Sequence, residues 1–454
     1  MKLELSRVFC AVLAGLGLAT IMCSANALAL TGKVVDAQSG KPIEGAIITA
    51  DKHVVLTRPD GAFSIDAAAA QGAAIGVRAV GYGRTRIPQA LPAAQSVSPV
   101  SPLQQVQTPL TIKLDPLRPK ALYMSFYGIG SRQIRNAALD LIDQTELNAL
   151  VVDVKGDRGM IPYKSKVALS AEIGGQRVIT VRDMKEMIDQ LHDRGVYLIG
   201  RIVVFKDDLL ATAHPQWTIK GADGKPWQDR EHLGWVDANF QEVWKYNIDI
   251  AEEAAALGFD EIQFDYVRFP DTPGLTFSQP NTEEMRVKAI SGFLAAARQR
   301  LTPYNVFISA DIFGYVSWNT NDTFIGQRID SIAPYVDYLA PMLYPSGFQF
   351  GIPGYRNPVA NSYELISLTL KRAAERGGLP PTRFRPWLQS FKDYAFDRRP
   401  FGADEISAQI RASEQFGSGG WMLWNPRNSY SKAGLKERTA KLPALAPAAR
   451  VATQ

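Results

Sequence analysis

The stretch FDEIQFDYVRFP, residues 259–270, decides the fold of this chain. Within it, apolar Ile262 and Phe264 alternate with polar Gln263 and Asp265, which is the two-residue period of a β-strand. If the apolar pair faces a layer of helices, Gln263 and Asp265 point to the opposite side of the sheet. A carboxylate buried near the end of such a strand needs a functional explanation.

Seven further segments repeat this strand pattern, and amphipathic helix patterns, several of them ending in glycine, lie between them. The eight strand candidates are residues 121–128, 149–156, 197–205, 261–269, 306–314, 337–345, 384–391 and 419–426. The clearest helix candidates are residues 181–195, 242–258, 282–301, 363–378 and 403–417. This alternation over about 320 residues predicts an α/β fold, a (β/α)8 TIM barrel. A doubly wound sheet is the alternative, but no glycine-rich phosphate loop follows the first strand.

A small all-β sandwich domain is predicted before the barrel. Turn signals such as SGKP at 39–42 and PDG at 59–61 separate its short strand patterns. Those patterns are residues 32–35, 46–49, 54–57, 62–65, 76–80 and 108–114. The segment TGKVVDAQSGKPIEGAIITA with LTRPDGAFSI resembles the carboxypeptidase-regulatory-like β-sandwich. That resemblance implies a spacer or a stabilising module rather than a catalyst.

The first residues are typical of a secretory signal peptide. Lys2 and Arg7 precede an apolar run at residues 8–22, and A-x-A exits allow cleavage after Ala27 or Ala29. An uncleaved membrane anchor is the alternative, but the run is short for a full span. We expect an exported protein of a bacterial periplasm or the secreted fraction, with no membrane contact after cleavage.

Bulk composition agrees with several domains and excludes few partners. The 454 residues are 46% hydrophobic and carry a net charge of +5 that is spread along the chain, so nucleic acid is not indicated. Both cysteines, Cys10 and Cys23, lie in the leader, so the mature chain can form no disulfide. The expected order is a signal peptide (1–29), the sandwich (30–115), the barrel (116–440) and a flexible tail (441–454).

Polar residues at the predicted strand ends are the candidate site. Asp265 ends strand four and Asp311 ends strand five, and we predict both as catalytic. Glycoside cleavage uses such a pair as nucleophile and general acid. A buried ion pair with Arg201, Arg268 or Lys155 is the alternative for either aspartate. The predicted substrate-binding residues are Asp153, Lys155, Arg201, Tyr344, Gln389, Trp424 and Asn425.

Aromatic residues in the predicted loops favour a carbohydrate-binding site, because a sugar has an apolar ring face, surrounded by hydroxyl groups, that can pack on an aromatic ring. Trp217, Trp227 and Trp235 follow strand three, and Tyr315 and Trp318 follow strand five. Any of them could instead cover the barrel core.

The motifs VVDVKGDRG, FDEIQFDYVRFPD, SADIFGY and YLAPMLYPSGF together resemble the glycoside hydrolase family DUF4015, over residues 121–430. The resemblance implies a barrel hydrolase related to the α-amylase-like group, with Asp265 as nucleophile and Asp311 as acid/base. It also matches Asp153 to a strand-two carboxylate. The chain departs from the family pattern after YPS, where Gly347 stands in place of a histidine that is often present.

Other hydrolase chemistries lack their motifs. The four histidines, His53, His192, His214 and His232, have no metal-ligand spacing, so we expect no metal and no other cofactor. No G-x-S-x-G elbow occurs for a serine hydrolase. The remaining alternative to an enzyme is a non-catalytic protein of the cell envelope that binds a polysaccharide or oligosaccharide. Oligomeric state is left open by the sequence.

Overall fold

The computed structural model describes residues 29–66, 74–87 and 110–445. Most of the predicted leader, the Pro- and Ser-rich stretch 88–109 and the end of the predicted tail lie outside these residues. The N-terminal strands are β1 (Ala29–Asp36), β2 (Ile47–Ala50), β3 (His53–Leu56), β4 (Ala62–Asp66), β5 (Ile75–Arg78), β6 (Thr85–Ile87) and β7 (Leu110–Leu114). They form two sheets, in the orders β4-β1-β7 and β3-β2-β5-β6, which confirms the all-β prediction.

Eight parallel strands then close into a barrel in the order β8 to β15, with β15 pairing to β8. They are β8 (Lys120–Met124), β9 (Ala149–Lys155), β10 (Tyr197–Val203), β11 (Glu261–Asp265), β12 (Phe307–Phe313), β13 (Tyr338–Leu343), β14 (Trp387–Gln389) and β15 (Trp421–Trp424). The predicted TIM barrel is therefore confirmed.

Helices surround the barrel, as βαβ crossovers require. They are α1 (Phe126–Gly130), α2 (Arg132–Gln144), α3 (Ala168–Glu172), α4 (Met184–Asp193), α5 (Asp208–Ala213), α6 (Gln241–Leu257), α7 (Glu283–Leu301), α8 (Ile329–Ile332), α9 (Ser362–Gly377) and α10 (Ala403–Phe416). Gly258, Gly378 and Gly417 follow α6, α9 and α10 with positive φ and cap them, as predicted.

The strand alternation predicted for β11 and β12 is present. Ile262 and Phe264 pack in the core between strands and helices, where the Phe264 ring lies 5.1 Å from that of Phe293 on α7. The opposite face points into the barrel, whose interior cluster is formed mainly by aromatic and small apolar residues. Gln263 and Asp265 belong to that inward face.

The N-terminal sheets close the bottom of the barrel, opposite the strand ends that carry the candidate site. Arg84 donates to Asp260 and to the carbonyl groups of Gly258 and Phe259, at distances between 2.9 and 3.1 Å. The Gly81 amide donates to the Tyr338 hydroxyl at 3.0 Å. The sandwich thus stabilises the barrel directly, through hydrogen bonds that a spacer would not make.

We expect Arg84→Met to lower the free energy of unfolding by about 2–4 kcal/mol, because it strips charge-assisted hydrogen bonds from a nearly buried interface. Thermal and urea unfolding would measure the loss. Arg58→Met is the matched control, since Arg58 and its partner Asp60 are both largely exposed. Equal stability of the two variants would contradict a stabilising role for the interface.

The C-terminal end of the described chain also packs on the barrel. Leu442 contacts the outer core, and the Leu445 amide donates to the His192 carbonyl group at 3.0 Å. Residues 441–445, which the sequence assigns to the tail, therefore cover part of the barrel surface.

Candidate active site

Four charged side chains meet inside the barrel at the C-terminal ends of neighbouring strands. Asp153 comes from β9, Arg201 from β10, Asp265 from β11 and Asp311 from β12. All four are nearly buried, with exposed fractions between 1% and 4%. Charges in such a place must be paired or neutralised.

Arg201 joins two of the three carboxylates. Its Nη1 donates to Asp153 Oδ1 at 2.6 Å, while Nε and Nη2 both donate to Asp265 Oδ2, at 2.9 and 2.5 Å. Burial alone would lower the pKa of Arg201, but the charges of Asp265 and Asp153 outweigh it and hold that pKa well above its usual value. The ion pair considered from sequence therefore exists for Asp265, with Arg201 as the cation.

Asp265 is also held by the backbone. The amide of Tyr266 donates to Asp265 Oδ1 at 2.6 Å. Tyr266 itself has a φ of +48°, an unfavourable left-handed conformation for a large side chain. Strained residues of this kind cluster at functional sites. The chain turn thus directs an N–H group at the carboxylate, which accepts three hydrogen bonds in all.

Asp311 lies in the opposite environment. Trp387 Nε1 donates to its Oδ1 at 2.8 Å, but no donor among the described residues faces Oδ2. Burial, followed by the negative charge of Asp265 and a side-chain hydrogen bond with Asp265, raises the pKa of Asp311 well above its usual value, and Arg201 only partly opposes this. Asp311 therefore holds a proton more readily than an ordinary aspartate does.

Asp153 supports this arrangement from the other side. The Tyr123 hydroxyl donates to Asp153 Oδ2 at 2.7 Å, and the Phe126 amide donates to the same oxygen at 3.3 Å. Burial raises the pKa of Asp153, while Arg201 and Tyr123 oppose the rise. Asp153 thus fixes Arg201 rather than facing the open end of the barrel.

Aromatic rings enclose the charged cluster. Trp424 stacks on Tyr123 with ring centres 3.8 Å apart, and Trp387 meets Trp424 edge-on at 5.4 Å. The Arg201 guanidinium lies 5.0 Å from the Trp424 ring centre. Tyr344 is close enough that Asp311 and Asp265 add to the burial that raises its pKa well above the usual value. Trp424 and Tyr344 are partly exposed, so they form the outer layer of the cluster.

Residues 121–430 match DUF4015, which is described as a putative glycosyl hydrolase domain, and the match covers more than half of the chain. This chain belongs to the DUF4015 family. By that membership it carries a hydrolase domain for glycosidic bonds. None of the curated proteins compared matches the chain.

Solved structures are similar to parts of this DUF4015 protein. A hypothetical protein from Ruminiclostridium thermocellum ATCC 27405 is 37% identical, with coverage of 42% of this chain and 96% of that one and a TM-score of 0.38. The glycoside hydrolase domain of PgaB (BpsB) from Bordetella bronchiseptica is 13% identical, with coverage of 69% and 95% and a TM-score of 0.50. At that identity the second likeness shows the barrel fold alone.

Three residues predicted to bind the substrate have their polar groups occupied within the protein. Lys155 forms an ion pair with Asp207 and lies 5.4 Å from the Tyr246 ring centre, so it stabilises the top of β9 in this DUF4015 protein. Gln389 accepts from the Ser346 amide and donates to Ser346 Oγ and the Phe391 carbonyl group. The structure brings neither residue into hydrogen-bonding contact with the acidic pair.

Asn425 likewise organises its own loop. Its Nδ2 donates to the Ser390 carbonyl group at 2.6 Å, and its Oδ1 accepts from the Arg427 amide at 2.9 Å. The predicted Asp153, Arg201, Tyr344 and Trp424 are, in contrast, members of the cluster around Asp265 and Asp311. Gly347, the position where the family often has histidine, lies beside Tyr344 with room for a side chain.

Tyr123 and Asn428 belong to the cluster, although neither is among the site residues predicted from the sequence. Tyr123 holds Asp153, and Asn428 ties β8 to the end of β15 by accepting from Ser125 and donating to the Tyr123 carbonyl group. The signal for Tyr123 was present, because Tyr123 alternates with Leu122 and Met124 on its strand. No local pattern marks Asn428, which acts across about 300 residues of sequence.

The aromatic loop residues have mixed positions. Trp235 is buried and donates to Asp229 Oδ2, whereas Trp318 donates to Thr369 on α9, outside the barrel. Trp217 lines a cavity of about 990 Å³ on the outer side of α6. None of the residues that line this cavity belongs to the acidic cluster, so we place the site at the strand ends, where the paired carboxyl groups are.

Proposed function

We propose that this protein is an exported glycoside hydrolase that cleaves a polysaccharide or oligosaccharide with Asp265 and Asp311. The unlike environments of the two carboxyl groups carry the proposal. Asp265 accepts three hydrogen bonds, whereas Asp311 has a raised pKa and an Oδ2 that meets no donor among the described residues. Two neighbouring titratable groups in such different environments are typical of the acid and the base of an enzyme active site.

The two groups have complementary tasks in the proposed reaction. Asp311 donates its Oδ2 proton to the glycosidic oxygen while Asp265 attacks the anomeric carbon, which breaks the glycosidic bond and forms a glycosyl ester on Asp265. Esterification removes the negative charge that helps to raise the pKa of Asp311. Asp311 therefore remains ionised after it has given up its proton, and it can take a proton from water. That water attacks the anomeric carbon, which releases the sugar and regenerates the Asp265 carboxylate and the Asp311 acid.

The spacing of the pair has to suit the substrate. Retaining enzymes hold their two carboxyl groups about 5–5.5 Å apart, and Asp311 lies close enough to Asp265 for the Asp265 charge to raise its pKa. Asp311 is the less firmly held of the two, because Asp265 is tied to Arg201 and to the Tyr266 amide while Asp311 accepts one hydrogen bond from Trp387. A sugar ring that stacks on the partly exposed Trp424 and displaces Tyr344 would enter between the two carboxyl groups.

Export rests on the N-terminal sequence. The leader with exits after Ala27 and Ala29 is typical of secretion, and the mature chain without cysteine suits a bacterial periplasm or the extracellular medium. Among residues 29–66, 74–87 and 110–445, no helix has both the length and the hydropathy to cross a bilayer. The proposed mature protein consists of the sandwich, the barrel and the tail, in the order expected from sequence.

The direct test is release of reducing ends from a panel of bacterial exopolysaccharides and α- and β-glucans by the chain that starts after Ala29. We expect the wild type to cleave at least one polymer and Asp265→Asn to cleave none. Asp271→Asn, which removes an exposed carboxylate shortly after β11, is the matched control and should keep full activity. Binding of a polymer with no release of sugar by the wild type would instead support the non-catalytic alternative.

A further inference from the structure

Arg268 is a cation near the acidic pair that packs against two aromatic rings. It lies three residues beyond Asp265, and its guanidinium carbon is 5.1 Å from the Trp235 ring centre and 5.3 Å from the Tyr266 ring centre. Nη1 donates to the Phe269 carbonyl group at 3.0 Å. Within the described part of the chain, no carboxylate lies within ion-pair distance of Arg268, although its side chain is partly buried.

The acidic residues of the adjacent loop do not supply a counter-charge, because they are used elsewhere. Asp229 and Glu231 both form ion pairs with Lys206, at 3.0 and 2.5 Å. Arg230, which stands between them in sequence, is exposed and close enough to Tyr394 to act on its pKa. Arg268 and Arg230 therefore place two positive charges on the wall that carries Trp235, beside the carboxylates that share Lys206.

Arg268 is also close to the acidic pair, because the Tyr266 side chain is near both Arg268 and Asp265. The Tyr266 ring lies under its guanidinium, and the charges of both Arg268 and Asp265 act on the Tyr266 phenol. A planar guanidinium held on two rings has lost much of its conformational freedom before any ligand binds. Its free donors can form a bidentate pair with a carboxylate.

We propose that Arg268 binds a carboxylate borne on a sugar ring, and that the substrate is an anionic glycan containing uronic acid. This inference rests on the proposed function for the cleavage step but not for the binding step. Trp235 and Tyr266 clamp the guanidinium, Trp424 and Tyr344 offer ring faces to the sugar, and Asp265 lies within reach of the bond to be cleaved. Arg268 thus determines specificity.

Binding is tested in an Asp311→Asn background, which slows the cleavage of oligosaccharides and keeps a side chain of nearly the same shape. Calorimetry at low and at physiological salt compares trimers of glucuronate, galacturonate and mannuronate with the matching neutral trimers. We expect at least one uronate trimer to bind on the order of 10-fold tighter than its neutral counterpart, with an advantage that decreases as salt rises.

Substitutions of Arg268 distinguish recognition from packing. Arg268→Met keeps the aliphatic stem on the two rings and should weaken uronate binding by about 10- to 100-fold while neutral trimers are unaffected. Arg268→Lys should recover part of the loss. Arg372→Met is the matched control, because Arg372 lies 5.8 Å from the Trp318 ring on the outer helix α9, and it should change nothing.

The outcomes separate this inference from the proposed function. Equal binding of uronate and neutral trimers, no binding of any trimer, or an equal loss for both kinds in Arg268→Met overturns the uronate assignment. Cleavage of a neutral glycan that is unchanged in Arg268→Met has the same effect and leaves the hydrolase proposal intact. Uronate binding that depends on Arg268, in a wild type that never cleaves these sugars, supports the inference and contradicts the hydrolase.

Discussion

Asp265→Asn is expected to lower kcat/KM by about 10⁴-fold or more, because the side chain that forms the glycosyl ester is removed. Asparagine keeps nearly the same shape and can still accept from Arg201, so folding should be preserved. Initial rates of reducing-sugar release, with circular dichroism as the folding check, measure the loss. Residual activity within about 10-fold of the wild type would show that Asp265 is not the nucleophile.

Asp311→Asn should have a smaller effect that depends on the leaving group. General acid catalysis contributes about 10²- to 10⁴-fold when the departing oxygen needs a proton and far less when it leaves as a stable phenolate. We therefore expect a large loss on oligosaccharides and a small one on an aryl glycoside. A loss of equal size on both substrates would contradict the acid role.

The pH dependence of the wild type follows from the same residue. Asp311 must be protonated to donate, and burial together with the Asp265 charge raises its pKa well above the usual range of aspartate. The rate of bond cleavage should therefore stay high through mildly acidic pH and decrease as the pH rises through this raised value. An optimum set by an ordinary aspartate would lie at lower pH.

Arg201→Met is expected to be the most destabilising single change at the site, costing about 3–5 kcal/mol of unfolding free energy at neutral pH. It leaves Asp265 and Asp153 buried without their cation, at exposed fractions of 4% each. Arg201 lowers the pKa of Asp153, so that pKa should rise further when the cation is lost. The destabilisation should therefore decrease at acidic pH, where the carboxylates are protonated.

Urea unfolding at neutral and acidic pH measures this effect. Arg300→Met serves as the control, because Arg300 makes its ion pairs with Asp249 and Glu252 on the exposed surface of α6. Such pairs contribute about 1 kcal/mol or less. If the two arginine variants lost equal stability, or if the loss in Arg201→Met did not depend on pH, the buried network would not be the source.

Elements with strong periodicity could be predicted from sequence because the apolar and polar pattern of each element shows which of its faces is buried. The alternation around Asp265 and Asp311 identified their inward direction, and Gly258 and Gly417 identified helix ends. The predicted end of the first barrel strand was wrong. Strand β8 ends at Met124, and the residues SFYG that follow begin helix α1, which the Ser125 side chain caps. The short strand Thr85–Ile87 was missed because three residues carry too little pattern.

The partners of the site residues could not be predicted, because they depend on register and barrel closure. Arg201 lies opposite Asp153 in the β9–β10 register, and the register shifts just beyond it, so that Lys155 pairs with Ile202. A regular alternation would place Asp153 and Lys155 on the same face of β9. In the structure Asp153 instead pairs with Arg201 and Lys155 with Asp207. Trp387 reaches Asp311 from β14, two strands away in the barrel order, a contact that the pattern of either strand alone does not predict.

The most direct test of the central claim is the titration of the Asp311 carboxyl group by carbon-13 NMR, assigned by its loss in Asp311→Asn. We expect this carboxyl group to titrate well above the usual range for aspartate in the wild type, and we expect its pKa to decrease in Asp265→Asn, where the neighbouring charge is gone. Titration of Asp311 together with the ordinary aspartates, or a pKa that is the same in both proteins, would contradict the claim that these two carboxyl groups form an acid and nucleophile pair.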